Sequence, residues 1–384
     1  MPTATTVPGA SAVRPLPQTT TREGGTGLPF VAVARKAKRI GYAHAGLAFN
    51  GGVATDPLPQ APGYARKILL RIAGTAGTGA STFTTDAQAS AALSIQNITL
   101  KDGFGTPVFT GSGFGLLYLD PLVSGQYGLI KASDITTAPS YSAFNATGGN
   151  FNVWLPLPLE ITPGYGCMSI GNASALPSLT VTLNTTASIY ATGPTLAPSV
   201  EVDAEVEYYE VDDPQIEPEG LGTTCQHIEQ PCSPPVGGGA SMRIQLPHSS
   251  GYLRTIILVA RDSTGARVEA FGTRVRLYVD GFPLRDEQLA QLTDNFYQLN
   301  GGQVARPTGV IAYSFEESLA QSLNLGTADT LMEALPITPA TQIEVECTPW
   351  ASVGTPPYTV TCIYNIIVPK GQLAIGLPEA MLSA

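Results

Sequence analysis

Charge is scarce in this sequence. Asp, Glu, Lys and Arg make up 13% of the 384 residues, about half of the roughly 25% usual for soluble domains. A polar surface must therefore come from Ser, Thr, Asn and Gln. Long apolar runs are missing too, and none approaches the roughly 20 residues of a membrane-spanning helix. Met1 to Thr21 lacks the apolar core of a secretory signal. The five cysteines (Cys167, Cys225, Cys232, Cys347, Cys362) are an odd number in a long chain, which argues against a disulfide framework. Synthesis in a reducing cytoplasm is expected. The sequons at Asn97, Asn145, Asn172 and Asn184 then read as chance matches in an Asn- and Thr-rich chain.

Signatures of catalysis are missing as well. His44, His227 and His248 are the three histidines, and none has a Ser or Cys nucleophile setting such as a Gly-x-Ser-x-Gly elbow. Gly111-Ser-Gly-Phe-Gly115 has the glycines of a phosphate loop but no following Lys-Ser/Thr, so a flexible loop is expected. Cys225-Gln-His227 with Cys232 fits no standard zinc spacing; a loop with free thiols is expected. No catalytic residue, metal site or cofactor is assigned.

What is abundant is turn and strand chemistry. The chain has 41 Gly and 32 Pro, with many Thr, Val, Ile and Tyr, the composition of an all-β protein with many loops. Its length exceeds the roughly 250–300 residues at which one core stops growing, so two domains or more are expected. Residues 1–55 carry Arg14, Arg22, Arg35, Lys36, Lys38 and Arg39 against Glu23. The body after them is acidic and offers no basic stripe to displace counterions from phosphates, so no specific nucleic-acid binding is expected.

Residues 1 to about 28 read as an extended arm. Phe30–Ile40 is rich in Ala, Lys and Arg and favours a short helix that needs a surface to lie on. Strand patterns start at Tyr64. Ser178–Asn184 and Val200–Tyr208 alternate with period two, as strands with one buried face do. Residues 212–240 combine Pro, Gly and acidic residues without periodicity and read as a linker. Beyond it strands resume, interrupted by one helix expected over 284–299 from Leu289, Leu292, Phe296 and Leu299.

The two sides of this linker resemble each other. Tyr64-Ala-Arg-Lys-Ile-Leu-Leu matches Tyr252-Leu-Arg-Thr-Ile-Ile-Leu, and Leu100-Lys-Asp-Gly-Phe104 matches Tyr278-Val-Asp-Gly-Phe282. Val200–Tyr208 and Tyr358–Ile366 close the two halves in the same order. Each half has the size and strand count of an eight-stranded, two-sheet jelly roll. The expected organisation is a basic arm over 1–55, a first jelly roll over 56–212, a linker over 213–240, a second jelly roll over 241–370 and a tail over 371–384.

That architecture resembles the double jelly-roll major capsid proteins of tectivirus-like, internal-membrane, tailless double-stranded DNA phages. The resemblance covers roughly residues 29–370 and rests on architecture and repeat order. It implies a bacteriophage structural protein, not an enzyme, with a few short helices and an extended arm. Homotrimers of pseudo-hexagonal outline would tile an icosahedral virion capsid, in contact with other capsid proteins such as penton or minor proteins and with an internal lipid membrane. Two other readings stand beside it: a glycan-binding or adhesive β-sandwich spike, and a hydrolase resembling the peptide-N-glycosidases of the same architecture.

Two surface features are candidates for contacts. Arg35, Lys36, Lys38 and Arg39 would lie on an inner-face arm, touching anionic lipid or an acidic neighbour, or else simply solvated. Glu201, Asp203, Glu205 and Glu207 occupy alternate positions and share one sheet face. That face reads as a solvated edge strand, a contact for a neighbour's basic arm or a calcium site. Asp102 and Asp280 recur in the repeat and read as turn residues.

Overall fold

The computed structural model describes residues 34–83, 92–123, 142–145, 147–161, 166–211, 221–232, 241–299, 306–315, 334–350 and 355–368, with Phe30, Gly164, Glu217 and Pro218. The arm before Phe30 and the tail after Val368 lie outside the described residues.

Sixteen of the strands among the described residues form two sandwiches. The first has β1 (Arg35–Leu47), β2 (Val53–Pro57), β3 (Gly63–Thr75), β4 (Ile95–Lys101), β5 (Pro107–Gly111), β6 (Asn150–Pro158), β7 (Ser178–Leu183) and β8 (Ser199–Glu210). The second has β9 (Thr224–Cys232), β10 (Met242–Gln245), β11 (Gly251–Arg261), β12 (Arg274–Val279), β13 (Phe282–Gln288), β14 (Val310–Ser314), β15 (Ile343–Thr348) and β16 (Thr359–Val368). In the first half the sheets run β1-β8-β3-β6 and β2-β7-β4-β5. In the second they run β9-β16-β11-β14 and β10-β15-β12-β13. Adding eight to each of these strand numbers gives the second half's order, while one further short strand, Ser142–Asn145, extends the first sheet beyond β6.

The matched sequence segments occupy matched places. Tyr64 and Tyr252 lie at the starts of β3 and β11, and the Asp-Gly-Phe turns join β4 to β5 and β12 to β13. Asp102 Oδ1 accepts the amides of Phe104 and Thr106 at 2.9 and 2.8 Å, while Asp280 Oδ1 accepts the amide of Gln342 at 2.8 Å. Asp102 thus caps its own turn, as its sequence setting predicts, whereas Asp280 occupies its turn with φ 50° and its carboxylate reaches across to Gln342, just before β15.

The two halves are fused by one parallel pair. Phe109 and Thr110 of β5 lie opposite His227 and Ile228 of β9, which makes β2-β7-β4-β5 continuous with β9-β16-β11-β14. The fused sheet separates two cores. Along β11, Ile257 and Val259 face the first core, whereas Ile256 and Leu258 face the second. A strand buried on both faces favours a continuous apolar run: Leu253–Ala260 is buried throughout, and Ile256–Ala260 is apolar without a break.

Three expectations need correction. The basic stretch is not a helix: Arg35–Leu47 is a strand, paired with β8 from Arg35↔Glu210 to Leu47↔Val200. Helix propensity is a weak prior, and here β8 offers ladder hydrogen bonds and opposite charges. The expected linker contains β9, paired along its whole length with β16. Its Pro and Gly residues flank a strand whose short apolar pattern periodicity does not reveal. The helix is shorter than expected: α1 spans Leu289–Leu299, because residues 284–288 belong to β13. Leu292 and Phe296 are its buried contacts.

Candidate assembly surfaces

The seam between the sandwiches holds a cluster of buried polar side chains. The expected flexible loop at Gly111–Gly115 is instead the start of a π-helical turn, Phe114–Leu119, continued by the short helix Asp120–Val123. Glu229 of β9 holds its entrance: its carboxylate accepts both the amide and the hydroxyl of Ser112 at 2.6 Å. This turn delivers Asp120 to the seam. Asp120 Oδ2 lies 2.5 Å from His227 Nδ1. The imidazole stacks on Phe109 of β5, with centroids 4.3 Å apart and 5° between planes.

The cluster extends into the second sandwich. Asn365 Nδ2 lies 3.2 Å from His227 Nδ1, Cys225 donates to Asn365 Oδ1 at 2.6 Å, and Arg254 donates to Cys225 Sγ at 3.5 Å. All five residues are at most 2% exposed. Burial disfavours the imidazolium, but Asp120 and Cys225 outweigh it and raise the pKa of His227 to about 10. Burial likewise opposes a thiolate at Cys225, yet His227 and Arg254 lower its pKa. The result is one buried ion pair, Asp120 with His227, that crosses from one sandwich to the other, with Cys225, Asn365 and Arg254 extending the cluster within the second. The Cys-His-Asp grouping is sealed between the two sandwiches and ties the Phe114–Val123 turn to β9.

The two surface features singled out in the sequence meet each other. β1 lies beside β8, so one of the basic candidates, Lys38, pairs with two of the acidic ones inside one chain. Lys38 Nζ is 3.0 Å from both Glu205 and Glu207, and those two hydrogen-bonding carboxylates raise its pKa. Arg35 pairs with Glu210, and Arg39 donates to the carbonyl of Gln60. Lys36 is exposed. On the other side, Arg71 of β3 reaches Asp203 at 2.5 Å and Glu201 at 3.2 Å. The acidic strand β8 is therefore internal to its sheet, not an edge strand, and its charges are matched on both flanks. Among the described residues, no group of three or more His, Cys, Asp or Glu side chains could hold a metal ion.

Sequence reasoning left out the exposed apolar residues. Phe104 and Phe282, the aromatic tips of the two Asp-Gly-Phe turns, are 92% and 77% exposed. Leu284 of β13 and Tyr297 of α1 are each 48% exposed. The repeat of Asp-Gly-Phe was the signal, since a Phe just past a tight turn has no core to enter.

No family model matches this chain, and no curated protein matches it. Solved structures do. A chain in the atomic structure of Sulfolobus Turreted Icosahedral Virus aligns at TM-score 0.62 and 17% identity, over 91% of this chain and 95% of that one. The PBCV-1 virus capsid aligns at 0.59 and 13%, over 87% and 94%. The major capsid protein P2 from bacteriophage PM2 aligns at 0.50 and 11%, over 88% and 99%. Both sandwiches are inside each alignment. The chain is a double jelly roll. At such identities the likeness establishes the fold of both jelly rolls and their order.

Proposed function

We propose that this chain is a viral major capsid protein whose work is assembly, not turnover. The observation that carries the reading is the duplicated eight-strand topology fused by the β5–β9 pair, aligned along nearly its whole length with structures that include the bacteriophage PM2 major capsid protein. Homotrimers of pseudo-hexagonal outline would tile an icosahedral shell. Tiling calls for rigid blocks with extended contact faces, not a concave reactive pocket. The seam lock makes two jelly rolls one rigid block. In this reading the first jelly roll begins at Arg35 and the second at Thr224, with residues 1–29 as the arm and 369–384 as the tail.

Synthesis in the host cytoplasm, a phage host, penton or minor-protein partners and an underlying membrane all belong to the same proposal. The exposed Lys36 and Arg39 lie where an arm leaving β1 could meet anionic lipid or a neighbouring subunit. Measuring the mass of the purified chain in solution and imaging the same sample by electron microscopy tests the proposal. Three-copy particles of hexagonal outline are expected. A monomer at every concentration, with glycan or hydrolase activity, would overturn it.

A further inference from the structure

Of the five cysteines, Cys225 stands apart. Burial pushes the thiols of Cys167 and Cys347 up. Burial also opposes a thiolate at Cys225, but His227 and Arg254 outweigh it and pull its pKa down. A thiol becomes a nucleophile when a base adjoins it and its thiolate is stabilised. Both conditions are met here. Cys225 and His227 lie two residues apart on β9, so they share one face of the strand, and they hydrogen-bond to each other. Arg254 donates to Sγ at 3.5 Å. Asp120 Oδ2, 2.5 Å from His227 Nδ1, holds the ring. These side chains are at most 2% exposed, so the acyl group to consider is one inside the cluster.

Asn365 of β16 supplies it. Asn365 faces His227 across the ladder and is fully buried. Its Oδ1 accepts from Cys225 at 2.6 Å. Oδ1 is about 1.2 Å from Cγ, which puts Sγ within about 3.8 Å of that carbon. Reacting atoms in a near-attack pose stand about 3–3.5 Å apart. On the other side of the amide, Nδ2 lies 3.2 Å from His227 Nδ1. The imidazole therefore contacts both the attacking sulfur and the nitrogen that would leave.

We propose that Cys225 and Asn365 condense to an internal thioester, a covalent bond between β9 and β16 that the folded chain forms on itself. The Cys225 sulfur adds to Cγ of Asn365, and the Sγ–Cγ bond forms. The Cγ–Nδ2 bond then breaks, and the nitrogen leaves as ammonia. The proton that completes the ammonia is the thiol's, carried by His227 from Sγ to Nδ2. Arg254, beside Sγ, balances the negative charge as it passes onto Oδ1. Nothing is oxidised or reduced, so this cross-link, unlike a disulfide, needs no oxidising compartment. Burial of the cluster keeps water from the thioester once it is made. The bond joins residues 140 positions apart, and a cross-link that closes so long a loop removes much entropy from the unfolded chain. It forms within one copy, whether or not copies assemble.

The test is the mass of the purified, folded full chain, measured after unfolding in acid, beside that of Cys225→Ala. The parent is expected to weigh one ammonia less than its sequence requires and to show, in denaturant, one reactive thiol fewer than its five cysteines. Its digest should contain the Cys225 and Asn365 peptides joined. Hydroxylamine should separate them and restore the missing thiol. Cys225→Ala is expected at the full mass of its sequence. A folded parent with its full mass and all five thiols overturns the thioester, whatever the variant does. A missing ammonia that persists in Cys225→Ala overturns it too, because the loss then lies elsewhere in the chain. Neither result touches the capsid reading, which the mass in solution and the particle images decide.

Discussion

Arg66 and Arg254 occupy the same β-bulge in the two jelly rolls, each skipped by its ladder next to the same register position of the closing strand. Their surroundings differ. Arg66 is a quarter exposed and donates to Glu160 at 2.8 Å. Arg254 is 1% exposed and donates to Cys225 in the seam. One backbone device has thus served two environments, one at the surface and one sealed by the other jelly roll.

Arg254→Ala removes a cation from a sealed cluster and leaves its partners uncompensated, which costs about 3–5 kcal/mol. Arg66→Ala loses a pair still reached by solvent, at about 1 kcal/mol. Guanidinium unfolding of the two variants is expected to show this order, and equal costs would refute the account of the seam.

The seam also carries a pH signature. The folded pKa of His227 is raised from an ordinary 6.5 to about 10. A raised pKa adds stability that is fully present below the unfolded value and is lost as pH climbs through the folded one. Thermal stability of the parent is expected to fall between pH 6.5 and about 10 more steeply than that of His227→Gln. Parallel profiles would show that the imidazolium is not held there.

Much of this architecture was legible in the sequence, and what escaped has physical causes. The duplication was readable because Tyr64/Tyr252 and the Asp-Gly-Phe turns mark places where both halves need the same backbone. β8 was readable because one of its faces is wet, giving Val-Glu-Val-Asp alternation. β9 and β1 were not. β9 sits between a partner strand and a foreign jelly roll, so polar His227 and Cys225 are buried by contacts no local pattern encodes. β1 has helix-forming residues that its pairing with β8 overrides. Among the charged candidates, the pairing of Lys38 with Glu205 and Glu207 depended on that missed strand.

The ladder on β1, β8 and β3 is open to solvent, and this limits its worth. Lys38 is 60% exposed at its side chain, so Lys38→Ala is expected to cost at most about 1 kcal/mol in folding at low salt. Raising salt to about 1 M shrinks the screening length to about 3 Å and should erase most of the difference. A cost that persists in high salt would mean that the alkyl stem, not the charge, matters.

Two glycines separate backbone strain from crowding. Gly272 and Gly265 both have positive φ, 71° and 83°, a region that costs an L-residue about 1 kcal/mol. Around Gly265 a Cβ would meet nothing within 4 Å, whereas at Gly272 it would stand 1.9 Å from the carbonyl oxygen of Pro349. That oxygen is backbone, held next to the Thr273 amide bond to Thr348 at 3.2 Å and to Trp350, itself packed edge-on against Phe271. It cannot swing aside as a side chain would. Gly265→Ala should therefore cost about 1 kcal/mol. Gly272→Ala should cost about 3 kcal/mol or more, since the start of β12 and the end of β15 must part to admit the methyl. Unfolding midpoints of the two variants against the parent decide it, because equal shifts would mean that dihedral strain alone acts at both sites.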